Sequence, residues 1–201
     1  HGGFGMAHGI SGPLALLSTA MRQGVTVHRH HDAIATICAW LDQHQHGHGR
    51  QAWWPEILDR SELRTGIPTL AGPYRPSWCY GTPGIARAQH LAALAVGDPT
   101  RAQAAEQALL GCLIDERQLA RLTDPRICHG LAGLVHTARS AARDAVSSDI
   151  TAAVHGVAER MHPHPHDHEH PTDDGFLEGA AGTALVGLSL TDPAPPRWDA
   201  C

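Results

Sequence analysis

Apolar residues recur along this chain at helical rather than strand spacing, in paired segments. Leu14, Leu16, Leu17 and Met21 follow Pro13, which suits a first helical turn because its missing N–H has no partner there to lose. The run predicts a helix over 13–23, ended by Gly24. Ile34, Ile37, Cys38 and Leu41 predict a second over 31–43, with Asp32 in the first turn where a carboxylate suits the helix dipole. The rhythm breaks over 47–77, where scattered Gly and Pro and the pair Trp53-Trp54 predict a long irregular insertion. Loops of that length in a compact domain are usually functional or disordered, and the tryptophans, read as buried, favour order. Helical spacing returns at 83–95 and 101–114, turned by Gly97-Asp98-Pro99, and again at 130–144 and 148–161. Residues 162–171 alternate His with Pro, Asp and Glu as a low-complexity loop. A last unit over 179–190 fades into a Pro-rich end.

The first helix of every pair is introduced by Gly-x-x-Gly: Gly9/Gly12, Gly81/Gly84, Gly130/Gly133 and Gly179/Gly182. The offsets are 72, 49 and 49, the first being longer because it contains the tryptophan insertion. Such a period marks a repeat architecture in which neighbouring hairpins bury each other's apolar faces. With almost no strand signal, the expected fold is all-α, a ring or solenoid of helical hairpins. The glycines permit close backbone approach, which would gather helix N-termini around one rim.

Repeat register also places chemistry. The residue before each first glycine is His8, Tyr80, His129 and Glu178, and the one before that is Ala7, Cys79, Cys128 and Leu177. Equivalent slots of adjacent repeats point to one place, so Cys79 and Cys128 should meet with His129 beside them. Two thiolates and an imidazole suit a zinc ion with its fourth position left open. Such a centre is formally uncharged and favours activation of a substrate thiol over water. The alternative is that both cysteines are small buried hydrophobes, as Cys38 and Cys112 look on their helix faces. The histidines of 162–171, and those flanking the second helix, read as solvated loops able to bind metal adventitiously.

Composition narrows the class. At 201 residues the chain can bury a full core as one domain, and five cysteines form no even disulfide framework, so free or metal-bound thiols in a reducing compartment are expected. A net charge of -5 without a basic stripe argues against nucleic acid. No apolar run approaches the ~20 residues of a membrane span, and no signal sequence opens the chain, so a cytoplasmic location is expected.

The stretches Ala7-His8-Gly9-Ile10-Ser11-Gly12-Pro13, Arg75-Pro76-Ser77-Trp78-Cys79-Tyr80-Gly81-Thr82-Pro83-Gly84, Cys128-His129-Gly130-Leu131-Ala132-Gly133 and Phe176-Leu177-Glu178-Gly179-Ala180-Ala181-Gly182 resemble the lanthionine synthetase C-like family. The resemblance implies an α,α-toroid with one central zinc and a cyclase that forms thioether rings in a dehydrated lantibiotic precursor peptide, working with a lantibiotic dehydratase. It implies that Cys79, Cys128 and His129 are the zinc ligands, that His8 is the catalytic acid/base, and that Arg75 and Tyr80 are active-site neighbours. Arg75 would steady a developing oxyanion; alternatively it braces the loop or pairs with Glu178. A non-catalytic relative that binds glutathione or a thiol peptide is the rival expectation. Family members are roughly twice as long, so the chain is expected to be an N-terminally truncated C-terminal half and its toroid a partial ring.

Overall fold

The repeat grammar is realised as two concentric layers of helices. The computed structural model describes residues 1–67, 69–161 and 173–191. In chain order these form α1 (Ser11–Arg22), α2 (His30–Gln43), a short α3 (Arg60–Thr65), α4 (Thr82–Val96), α5 (Pro99–Ile114), a single-turn α6 (Glu116–Leu119), α7 (Leu131–Asp144), α8 (Ser148–Glu159) and α9 (Ala180–Thr191). Each Gly-x-x-Gly opens an inner helix, and α1, α4, α7 and α9 pack side by side in that order. The outer helices α2, α5 and α8 back α1, α4 and α7, and α5 also packs on α8.

Local chemistry sets the ends. Asp98 caps α5 by accepting the Arg101 amide at 3.0 Å, with Pro99 in the first turn. Gly97 ends α4 in the left-handed region at φ 72°. The expected major helices are therefore present, with ends shifted by a residue or two.

Close approach explains the second glycine of each motif. A Cβ on Gly12, Gly84, Gly133 or Gly182 would stand 2.6, 2.0, 1.9 or 1.9 Å from the carbonyl oxygen of Met6, Trp78, Ile127 or Phe176. The preceding turn thus lies directly on the start of each inner helix. Any side chain there would push the turn off.

The buried apolar residues form one cluster, with Leu14, Ile34, Leu41, Ile85, Leu109, Leu134, Ile150 and Val186 among its members. Burying each such side chain is worth about 1.5–3 kcal/mol. Helix α4 is buried continuously from Thr82 to Ala93, because α1, α7, α5 and α2 enclose it and its alanines let them approach. Cys38 and Cys112 belong to this interior, and burial pushes the Cys112 thiol up to about 12.

One polar knot crosses the inner layer. The buried Arg87 of α4 donates to Asp144 of α7 at 2.9 Å, and Arg22 of α1 donates to the same carboxylate at 2.9 Å. His90 stands 3.1 Å from Arg87 and 3.4 Å from the buried Glu106.

The segment over 47–77 is irregular but ordered around a few contacts. β1 (Gly2–Gly3) pairs antiparallel with β2 (Ile57–Leu58), Gly2 facing Leu58 and Gly3 facing Ile57. Trp54 is buried and donates through Nε1 to the Leu41 carbonyl at 2.9 Å. α3, which the hydrophobic pattern does not reveal, is started by a capping box between Asp59 and Glu62. The His-rich loop expected at 162–171 lies outside the described residues.

Candidate metal centre

The four turns that precede the inner helices are hydrogen-bonded to one another at their equivalent slots. Ala7 N–H donates to the Cys79 carbonyl at 3.1 Å, Cys79 N–H to the Cys128 carbonyl at 3.1 Å, and Cys128 N–H to the Leu177 carbonyl at 3.0 Å. The register inferred from sequence is thus a physical ladder along one rim. It brings Cys79 and Cys128, 49 residues apart, side by side.

The ligand atoms of Cys79, Cys128 and His129 all lie within 4.8 Å of one another, and no other such group of three occurs among the described residues. Donors sharing one tetrahedral zinc, at ~2.3 Å for sulfur and ~2.0 Å for nitrogen, stand about 3.5–4 Å apart. The trio therefore fits a single ion after small side-chain adjustments. The chemistry of the set fits too, since two thiols and an imidazole suit zinc better than the oxygen-seeking cations.

Each donor has its own support. The Cys79 thiol is buried and donates to the hydroxyl of fully buried Ser77 at 3.6 Å. That hydroxyl also accepts the Gly81 and Tyr80 amides at 3.1 and 3.4 Å, so Ser77 ties the thiol to the turn. Burial pushes the Cys128 thiol up, and its hydrogen bond to Glu178 and the neighbouring Cys79 push it further. His129 lies between two carboxylates: its Nε2 is 3.0 Å from Asp124 and its Nδ1 3.4 Å from Glu178. Arg126 stands between the same two acids, at 3.7 and 3.9 Å.

His8, one residue on from the Ala7 rung, is exposed, and its ring meets that of Tyr80 at a centroid distance of 5.7 Å. Arg75 is half-buried and directed elsewhere: it lies over the Tyr74 ring at 5.9 Å, its Nε is buried without a hydrogen-bond partner, and its charge partly offsets the burial that raises Glu56. Glu178 meets His129 and Arg126 instead of Arg75. The ladder thus gathers Cys79, Cys128, His129, His8 and Tyr80, while Arg75 approaches from the insertion side. Ser77 and Asp124 carry no sequence signal of their own. Asp124 could have been aligned with Asp173, 49 residues on, but not assigned a target.

A family model described as lanthionine synthetase C-like protein matches residues 2–201. The chain is 25% identical over 183 residues to the nisin biosynthesis protein NisC of Lactococcus lactis subsp. lactis, a match covering 90% of this chain and 43% of that protein. Among solved structures, a nisin cyclase superposes with a TM-score of 0.84 at 23% identity, over 99% of this chain and 49% of that one. At that identity the likeness speaks to fold, and the neighbour is an α,α-toroid as expected for this chain. The chain spans less than half the length of the curated relative it matches.

Proposed function

The chain belongs to the lanthionine synthetase C-like proteins, and from that premise we propose that it forms the zinc-bearing part of a cyclase that closes thioether rings in a dehydrated lantibiotic precursor peptide. The observation that carries the proposal is the convergence of two thiols and an imidazole on one rim, beside an exposed histidine.

Cys79, Cys128 and His129 would hold the ion. Bound there, zinc supplies Lewis-acid activation of the peptide's cysteine thiol. The remaining work belongs to the chain's own side chains. Sulfur adds to the β-carbon of a dehydroalanine or dehydrobutyrine, the C–S bond forms, and the π electrons move to an enolate. His8 delivers a proton to the α-carbon, and the proton released by the thiol leaves to solvent. A histidine can give and regain a proton near neutral pH, and exposure lets it exchange that proton between turnovers. Tyr80 holds the His8 ring at the rim, while Arg75, turned toward Tyr74 and Glu56, braces the insertion beside the site. A dehydratase would prepare the peptide.

The test is incubation with a dehydrated precursor peptide, followed by thiol alkylation and mass spectrometry, because ring closure leaves mass unchanged but removes a free thiol. The reading expects fewer alkylated cysteines with the wild type and no loss of thiols with Cys79→Ala. Thiol peptide binding without ring closure would overturn the cyclase reading and leave a thiol-binding protein.

A further inference from the structure

A ligand histidine must present one nitrogen and keep the other occupied, and here a single carboxylate is placed to decide which. We infer that Asp124 is a positioning residue of the metal centre: its carboxylate holds the Nε2–H of His129 and leaves Nδ1 as the nitrogen for the ion. The inference rests on the zinc reading above.

The carboxylate is anchored. Asp124 Oδ2 is 3.0 Å from His129 Nε2, while Oδ1 accepts the Arg126 amide at 2.8 Å and the Asp124 carbonyl accepts the Leu131 amide at 2.8 Å. Both ends of the residue are therefore fixed to the turn and to the first residue of α7, and the acid cannot swing from the ring without breaking the turn. The second carboxylate, Glu178, makes the longer contact at 3.4 Å through a side chain 45% exposed. A cation can replace that contact at Nδ1, whereas the Nε2 contact is built into the fold. An imidazole held this way keeps one tautomer and one ring plane.

The repeats supply an internal control. Six residues before each first glycine stand Gly3, Arg75, Asp124 and Asp173. Asp173 makes the same turn, with Oδ1 accepting the Gly175 amide at 2.9 Å and its carbonyl accepting the Ala180 amide at 2.8 Å. The residue at the slot of His129 in that unit is Glu178, so Asp173 has the turn without an imidazole to orient. The two roles of Asp124 can thus be separated.

The experiment measures zinc affinity by competition with a chromophoric chelator, and the visible spectrum of the cobalt form, for the wild type, Asp124→Asn, Asp124→Ala and Asp173→Ala. Losing such a partner typically weakens metal binding about 10–100-fold. That loss is expected for Asp124→Ala, a smaller one for Asp124→Asn, and a change of no more than about threefold for Asp173→Ala. The cobalt ligand-field band should shift in Asp124→Asn while the sulfur charge-transfer bands remain. Asp124→Asn keeps an oxygen for the turn, so it decides the matter if Asp124→Ala fails to fold. Folded Asp124→Asn with wild-type affinity and spectrum would overturn the inference, as would an equal loss in Asp173→Ala. A wild-type chain that takes up no zinc would overturn the centre itself, and this inference with it.

Discussion

Replacing Gly133 by alanine tests whether the turn carrying Cys128 and His129 rests on its helix. A Cβ there would lie 1.9 Å from the Ile127 carbonyl oxygen, short of ordinary contact by about 1.5 Å, and 3.3 Å from the Trp78 Cβ. The obstructing atom is backbone, and it belongs to the peptide that leads into Cys128, so the strain cannot be relieved by rotating a side chain. Overpacking of this kind costs about 1–3 kcal/mol, and the upper end applies here. For a chain of this size that is a fall in Tm of about 6–12 °C. Gly156, inside α8, has open space within 4 Å of where a methyl group would stand, so alanine there should stabilise by about 0.5–1 kcal/mol through helix propensity and a less flexible unfolded chain. Urea unfolding followed by far-UV circular dichroism measures both, and metal uptake by Gly133→Ala should fall because the Cys128–His129 turn moves. A Gly133→Ala protein within about 0.5 kcal/mol of the wild type, or one matching Gly156→Ala, would refute the reasoning.

Other consequences are equally direct. Burial, and then the neighbouring Arg87, hold His90 down to about 4, so it folds neutral. The unfolded chain then binds the extra proton between pH 6.5 and 4, and this contribution of about 3 kcal/mol is present above pH 6.5 and lost as pH falls toward 4. Chemical denaturation across that window should show the decline, and His90→Gln should flatten it. Arg87→Ala leaves His90 buried without its Arg87 partner and Asp144 with Arg22 alone, an expected loss of about 3 kcal/mol by the same unfolding assay. His8→Asn should leave zinc content unchanged while slowing ring formation about 100–10,000-fold in the alkylation assay; an unaltered rate would remove His8 from the chemistry.

The inner helices and their order were legible because glycine spacing, proline placement and helical periodicity all answer to one repeat, and repeat register alone put Cys79 against Cys128. What stayed hidden was shorter or lateral. α3 has only six residues, too few for a periodic pattern, although the Asp59-x-x-Glu62 capping signal was present in the chain. The Gly2–Gly3 strand has no side chains to alternate and exists only through its partner in the insertion. The support of the centre by Ser77 and Asp124 depends on which way a turn directs a side chain. Arg75 occupies the position equivalent to Asp124, yet it points to Tyr74 and Glu56, a choice made by the insertion packed beside it.

The central claim, that the turns of adjacent repeats assemble one zinc centre, is tested most directly by metal analysis of purified protein after loosely held metal has been stripped. About one tightly held zinc per chain is expected in the wild type, and none in a folded Cys128→Ala/His129→Ala double variant. Folded wild type without tight zinc, or a double variant that retains it, would contradict the claim.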